Sequence, residues 1–305
     1  MVCVLDINAG AGTLAGTFHA FVIRMHLKFL YLTSIAFRYL LSVPLVTLVL
    51  LNSLVPATAS SGEVTVAVAA NFTEAARDIA TAFSAATDHR ARLSFGSTGQ
   101  LYAQIANGAP FEVFLAADTA RPVKAEQNGL AVKGTRFTYA RGSLVMWSPM
   151  QALFSDGADY LRRGEFKRAA IANPKTAPYG LAAKQVLQRL GLWNSLGPKL
   201  VRGNSIAQTF QFVATGNAVI GFVARSQLVS NTGAGNAEIG SVWNIPADYY
   251  EPIEQQAVLL SNAGKNKAAR SFIAFMKSSA AHEIITRNGY SLPSIKNNLT
   301  SDIKN

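Results

Sequence analysis

The sequence has little cysteine, few acidic residues and no long apolar run beyond its first 60 residues. Its one cysteine is Cys3, so the chain beyond that point can form no disulfide, thiolate metal site or cysteine nucleophile. Asp and Glu number 17 against 28 Lys and Arg, which gives a formal charge of +11. The basic residues are scattered as on solvated faces, so we expect no nucleic-acid partner.

Motifs for catalysis are missing as well. The chain has four histidines. His19 and His26 lie near the N-terminus, His89 lies in a polar turn, and His282 lies in the last predicted helix. The sequence shows no Ser/His/Asp order and no phosphate-binding loop. We therefore expect neither an enzyme nor a bound cofactor.

The N-terminal segment has the pattern of an export signal. Residues 40–55 form a short apolar block after Arg38, and Ala57-Thr58-Ala59 follows it. A positive flank, an apolar core and a small-x-small site are typical of a cleaved signal, so residues 1–59 are predicted to be a leader cut near Ala59. A retained membrane anchor is the alternative, although the block is short for a span. Translation from Met25 would give a better positively charged start.

From Glu63 onward, strand-like and helix-like runs alternate, which predicts an α/β fold with mostly parallel sheets. The predicted strands are 64–69, 92–95, 113–116, 137–140, 144–148, 170–172, 219–223, 239–243 and 256–260. The predicted helices are 73–86, 101–107, 121–128, 158–163, 181–190, 206–215, 224–230, 268–277 and 280–288. No repeat or low-complexity tract interrupts this order.

Small polar residues stand where predicted strands lead into helices. Asn71 follows the apolar run 64–70, Thr98 lies in Gly-Ser-Thr-Gly, and Ser205 ends Gly-Asn-Ser. Taken singly, each is more often a helix N-cap than a ligand, and Asn71 with Glu74 is close to a capping box. Backbone N–H groups at helix starts also bind anions. Together, these turns predict a site for a small oxyanion.

The ordered motifs resemble those of the periplasmic molybdate-binding proteins of ABC transporters, which are type II periplasmic binding proteins. The matching runs are Ala-Ala-Asn-Phe (69–72), Gly-Ser-Thr-Gly (96–99), Asn-Gly-Ala-Pro (107–110), Phe-Leu-Ala-Ala-Asp (114–118), Asn-Pro-x-x-Ala-Pro-Tyr-Gly (173–180) and Gly-Asn-Ser (203–205). The resemblance covers about residues 63–293. It implies two α/β lobes with the ligand cleft between them. Lobe one would comprise 63–140 plus 256–300, and lobe two 141–255.

The resemblance also implies the ligand set. The family's oxyanion ligands fall on Asn71, through its amide, on the hydroxyls of Thr98 and Tyr179, and on the backbone N–H of Ile206. Ala70 could serve only through its backbone. Many members use a tyrosine at the position of Ala224, and its hydroxyl would here be replaced by that of Tyr179.

The implied function is the capture of molybdate or tungstate by neutral hydrogen bonding. A periplasmic monomer would deliver the ion to the membrane permease of an ABC transporter. The metal would be held as its oxyanion, with no direct protein ligand. Both ions are deprotonated dianions that only accept hydrogen bonds, so a cage of donors suffices. Sulfate is smaller and would stretch the bonds of such a cage.

Other transport ligands are the main alternative. Asp248-Tyr249-Tyr250-Glu251 offers phenolate and carboxylate oxygens, which suit ferric iron. Aromatic packing at the lobe hinge is the other interpretation of this run. Sulfate and phosphate are further candidates, and an adhesive surface protein would account for export but not for the four motif-bearing helix starts.

Overall fold

The computed structural model describes residues 61–232 and 240–293. The chain divides after Ala59 into two units, and the account below concerns the second, which begins at Ser60. The predicted leader, its cleavage near Ala59 and the alternative start at Met25 lie outside the described residues. No helix in the described part has the length and apolarity to cross a membrane.

The first lobe is built on a five-stranded sheet in the order β2-β1-β3-β10-β4. Its strands are β1 (Glu63–Ala69), β2 (Arg90–Gly96), β3 (Val113–Ala116), β4 (Phe137–Gly142) and β10 (Ile253–Leu259). Its helices are α1 (Thr73–Ala86), α2 (Thr98–Ala106), α3 (Ala120–Gln127), α8 (Lys267–Phe275) and α9 (Ser279–Arg287). A 3-10 turn, Ala70–Phe72, joins β1 to α1 without a break.

The second lobe is built on another five-stranded sheet, in the order β7-β6-β8-β5-β9. Its strands are β5 (Leu144–Ser148), β6 (Ala169–Ala172), β7 (Leu200–Gly203), β8 (Ile220–Ala224) and β9 (Ser241–Asn244). Its helices are α4 (Gly157–Arg163), α5 (Pro178–Arg189), α6 (Ile206–Ala214) and α7 (Arg225–Thr232). The chain enters this lobe through Ser143 and returns to the first lobe between Asn244 and Ile253.

Burial explains why these residues form these elements. Every residue of β3 and β6 is buried, because helices cover both faces of each sheet, and such central strands are apolar throughout rather than alternating. The helix α1 turns one stripe towards the sheet, and Ala76, Ile79 and Phe83 on that stripe are completely buried. Its period of three to four residues is the pattern that predicted the helix.

The sheets differ from the sequence predictions in two respects. The sheets are mixed rather than mostly parallel, because β10 runs antiparallel to β3 and β4, and β5 antiparallel to β8 and β9. These two strands follow the crossings between lobes, where the chain arrives without the helical crossover that parallel pairing requires. The strand Leu200–Gly203 was not predicted, since it is a four-residue edge strand containing Arg202 and Gly203.

Candidate functional site

Four helical segments begin where strands end and face the space between the lobes. The 3-10 turn at Ala70 follows β1, α2 follows β2, α5 follows β6, and α6 follows β7. A small cavity lies among their starts. It is lined by Ala69, Ala70, Asn71, Ser97, Thr98, Ala117, Ala177, Pro178, Tyr179 and Ile206. All five residues that the resemblance implied therefore border one cavity, and none of the lining residues carries a charge.

Thr98 contributes a hydroxyl whose orientation is fixed. Its side chain is 1% exposed, and its Oγ1 accepts a hydrogen bond of 3.0 Å from the backbone N–H of Ala117. Because a hydroxyl has one proton and two lone pairs, this bond leaves the proton available to an anion. Thr98 is the first residue of α2 and not its N-cap, which is Ser97.

The side chain of Asn71 bonds to partners that neither the N-cap interpretation nor the ligand interpretation predicted. It is not the N-cap of α1, a position held by Phe72 without any side-chain bond. Its Nδ2 donates to Gln255 Oε1 at 2.8 Å and to Tyr290 Oη at 3.1 Å. Both amide hydrogens thus have partners within the protein, and a bond from this amide to an oxyanion stays a prediction. Asn71 itself borders the cavity.

Tyr179 lies at the start of α5 and is 2% exposed. Its Oη accepts a hydrogen bond of 3.3 Å from Gln255 Nε2. Burial raises the pKa of Tyr179 well above its usual value, and the neighbouring Tyr290 and Tyr139 raise it further. The phenol therefore stays protonated. A methyl group on Gly142 would clash with Tyr179 Oη and lie 2.7 Å from Gln255 Nε2, so this close packing requires glycine there.

In the second lobe, the other helix that begins at the cavity is α6. Ser205 is its N-cap, as predicted, and its Oγ accepts the N–H of Gln208 at 3.2 Å. Gln208 Oε1 in turn accepts the N–H of Asn204 at 2.6 Å, one residue before the N-cap that a capping box would use. Ile206 is the first helical residue, and the N–H of that position has no partner within its own helix. The side chain of Ser205 is thus used by the helix, while Ile206 borders the cavity.

Hydrogen bonds across the cleft join the lobes. Gly99 N–H donates to Thr176 O at 2.8 Å, and Arg121 Nη2 donates to Lys175 O at 3.2 Å. A Cβ on Gly99 would lie 2.9 Å from Thr176 O, so this approach also depends on glycine. The two lobes are therefore in direct contact at these positions.

The tyrosines at 249 and 250 pack rather than converge on a metal. The guanidinium of Arg189 lies 5.4 Å from the ring centre of Tyr249, and Trp243 meets the same ring edge-on. Tyr250 Oη accepts the N–H of Leu144 at 3.1 Å. In the described ranges, no three His, Cys, Asp or Glu side chains are grouped to hold a metal ion. These contacts favour the interpretation as hinge packing.

Sequence reasoning missed the residues that support the site. Gln255, Tyr139 and Tyr290 are buried polar side chains that bond to one another or to Asn71. Gln255 gave no usable signal, since it lies outside the predicted strand 256–260 and between two other polar residues, Glu254 and Gln256. Tyr290 follows the last helix in Asn-Gly-Tyr (288–290), and nothing in the sequence showed that it meets a residue 219 positions earlier.

The sequence matches the family model described as bacterial extracellular solute-binding protein over residues 64–291. It is 52% identical over 234 residues to the molybdate-binding protein ModA of Azotobacter vinelandii, which covers 77% of this chain and 92% of that protein. Identity to ModA of Rhodobacter capsulatus is 49% over 232 residues, covering 76% and 89% respectively.

Solved structures agree with the sequence matches. The structure resembles the periplasmic molybdate-binding protein of Azotobacter vinelandii with a TM-score of 0.73 at 41% identity, covering 76% of this chain and 100% of that one. The sulfate-binding protein SubI of Mycobacterium tuberculosis has a TM-score of 0.65 at 14% identity over 76% of this chain and 87% of that one, a likeness of fold alone. The chain therefore belongs to the bacterial extracellular solute-binding proteins and, within them, to the ModA family, whose members are binding proteins and not enzymes.

Proposed function

We propose that this protein captures molybdate, and also tungstate, in the cavity between its lobes and delivers it to the membrane permease of an ABC transporter. One observation carries the proposal. Asn71, Thr98, Tyr179, Ile206 and Ala70 border a single cavity whose lining residues include no charged side chain. The names of the relatives in Azotobacter and Rhodobacter support the choice of molybdate.

The donors suit a bare tetrahedral dianion. We infer that the Thr98 hydroxyl, the Tyr179 phenol and the backbone N–H groups of Asn71 and Ile206 each donate to an oxygen of the ion. Every helix start carries about half a positive charge, so four of them offset roughly two negative charges. A fully deprotonated ion can accept from all four of these donors, whereas the O–H of a protonated phosphate cannot accept a hydrogen bond from any of them.

A cage of fixed size also discriminates between ions of equal charge. Both side-chain donors have restricted positions. The hydroxyl of Thr98 accepts a hydrogen bond from the N–H of Ala117, and the hydroxyl of Tyr179 packs closely against Gly142. Because sulfate is smaller, some of the hydrogen bonds from these donors to its oxygens would be longer than optimal. Each poorly made bond to a charged group costs on the order of 1.5–3 kcal/mol.

We infer that binding closes two bodies, residues 63–140 plus 256–300 and residues 141–255. The membership of the two sheets supports this division except at its boundaries, where Arg141–Gly142 and Ile253–Gln255 belong to strands of the first sheet. Residues 294–300 lie outside the described residues. Donors from both lobes meet one ion only in the closed state, so the ion stabilises closure. The closed form of a periplasmic monomer, cleaved near Ala59, is the species that we expect to dock on the permease.

Calorimetric titration of residues 60–305 tests the proposal. The titrants are molybdate, tungstate, sulfate, phosphate and ferric citrate. We expect tight binding of the first two, and at least about a hundredfold weaker binding of sulfate, since two or more stretched bonds are involved. Small-angle scattering should show compaction with molybdate. Binding of ferric citrate alone, or no compaction at saturation, would contradict the proposal.

A further inference from the structure

Gln255 is a fully buried amide at the hinge between the lobes. It lies on β10, where the chain returns to the first lobe, and its side chain is 0% exposed. The pairing of β10 with β4 shifts register between Gln255 and Gln256. Such irregularities turn a side chain away from the direction that regular pairing would give it. A buried amide must also find partners for its donors and its acceptor.

The partners of Gln255 come from both lobes. Its Oε1 accepts from Asn71 Nδ2 at 2.8 Å and from Tyr139 Oη at 3.1 Å. Its Nε2 donates to Tyr179 Oη at 3.3 Å. Two of the proposed ligand residues, Asn71 in the first lobe and Tyr179 in the second, are thus joined through one side chain.

The hydrogen-bond network fixes which way this amide points. Tyr290 Oη donates its only proton to the carbonyl of Asn71 at 2.5 Å, so the same oxygen can only accept from Asn71 Nδ2. The amide hydrogens of Asn71 therefore face Tyr290 and Gln255, and Gln255 must present its oxygen to Asn71. Its Nε2 is left to face Tyr179.

This orientation determines where the phenol proton of Tyr179 goes. Because Tyr179 Oη accepts from Gln255, its own proton must be donated elsewhere. No second partner of this hydroxyl occurs within 61–232 and 240–293, and Tyr179 borders the cavity. We propose that Gln255 is the positioning residue of the site, which directs the Tyr179 proton to the bound oxyanion and holds Asn71 in register across the cleft. The inference rests on the proposed function.

A double-mutant cycle tests this role. In Gln255→Glu the oxygen that serves Asn71 and Tyr139 remains, but a carboxylate oxygen replaces the donor to Tyr179 and captures the phenol proton. With sodium molybdate as the probe, Tyr179→Phe should raise Kd by about ten- to a hundredfold in the wild-type background, since a hydrogen bond to a charged group is lost. In the Gln255→Glu background the same change should alter Kd by less than about twofold, at a pH where the introduced carboxylate is ionised.

Gln256→Glu is the matched control. It adds the same charge one residue along β10, where the amide is bonded to Arg136 and Thr138 and not to the cavity. Its Kd should stay within about threefold of wild type. If Gln255→Glu does not fold, Gln255→Met keeps the length of the side chain without its polar atoms and should still weaken binding by about three- to tenfold.

Three results would overturn the inference. The first is an unchanged Kd in Tyr179→Phe, which would show that only the backbone of Tyr179 is used. The second is an equal cost of Tyr179→Phe in both backgrounds, which would mean that Gln255→Glu acts by charge alone. The third is an unchanged Kd in Gln255→Met. Failure of the wild-type protein to bind molybdate would instead contradict the proposed function, and this inference with it.

Discussion

The two lobes contribute to the cavity in different ways. In the first lobe, Thr98 and Asn71 are held by bonds from outside their own helices, to Ala117, Gln255 and Tyr290. In the second lobe, the cap of α6 bonds to its own helix, and the donor that we propose there is the backbone N–H of Ile206. The first lobe's part of the site therefore depends on particular side-chain contacts. In the second lobe, the donor proposed at Ile206 depends only on where α6 begins.

Tyr179 combines features of both lobes. It starts a helix of the second lobe, but its hydroxyl is fixed by Gln255 and Gly142, which belong to strands of the first. Substitutions around this hydroxyl should therefore affect both halves of the site, and substitutions confined to α6 should affect one donor or none. The predictions below follow from this difference, in order of decreasing effect.

Replacement of Gly142 by alanine should have the largest effect. The new methyl group would collide with Tyr179 Oη and lie 2.7 Å from Gln255 Nε2, so both must move. We expect molybdate affinity to fall by about a hundredfold or more, and the free energy of unfolding to fall by about 1–3 kcal/mol, the usual cost of overpacking. Calorimetry and urea denaturation measure the two effects.

Gly197→Ala is the control for that substitution, because nothing lies within 4 Å of a Cβ placed at Gly197. Its unfolding free energy should change by less than about 0.5 kcal/mol. Wild-type affinity in Gly142→Ala would show that the tyrosine hydroxyl and its amide partner are not needed for binding.

Thr98→Val should weaken molybdate binding by about ten- to a hundredfold, because a donor to a charged ligand is lost. It also leaves the buried N–H of Ala117 without its acceptor, which costs about 1–3 kcal/mol of stability. Thr98→Ser keeps the hydroxyl and should stay within about threefold of wild type. Equal Kd values for the valine and serine variants would place the hydroxyl outside the cage.

The buried tyrosines predict the response to pH. Burial raises the pKa of Tyr139, Tyr179 and Tyr290, while tyrosines of the unfolded chain ionise near pH ~10. Stability is therefore fully present below about pH 10 and is lost above it, as the unfolded state releases protons that the folded state retains. Molybdate affinity should be flat between about pH 7 and 9, since the phenol donor stays protonated.

Urea denaturation between about pH 8 and 11 measures this loss of stability. Tyr290→Phe removes one of the three titrating groups and should make the decline shallower. A decline of equal slope in wild type and Tyr290→Phe would mean that other groups cause it.

Ile206→Val should have the smallest effect, less than about twofold in Kd, because the backbone N–H is unchanged. Ile206→Pro removes that N–H at a helical position where proline is tolerated, and the extended backbone of Ser205 suits a following proline. It should weaken binding by about tenfold or more. An equal effect of valine and proline would assign the contribution of Ile206 to its side chain.

Local pattern was enough to predict most of the fold. The apolar stripe of Ala76, Ile79 and Phe83 predicted α1 with the bounds observed, since helix periodicity is a property of neighbouring residues. Strand direction was not predictable in this way. Whether β5 and β10 run with or against their neighbours depends on how the chain crosses between lobes, which no short window of sequence contains.

In the site, too, local sequence predicted some features and could not predict others. Thr98, Tyr179 and Ile206 stand at turns that a motif can mark, and the structure brings them together at one cavity. The partners of the Asn71 side chain, Gln255 and Tyr290, were not predicted because they lie 184 and 219 residues away. Contacts of that separation depend on the folded topology, and the pattern around Asn71 favoured a local cap instead.

A structure of the protein crystallised with molybdate would test the central claim most directly. We expect the Thr98 hydroxyl, the Tyr179 phenol and the N–H groups of Asn71 and Ile206 at about 2.7–3.2 Å from the oxygens of the ion. No lysine or arginine side chain should lie within that distance. An ion bound by a basic side chain, or an ion bound outside the cavity between the lobes, would contradict the account.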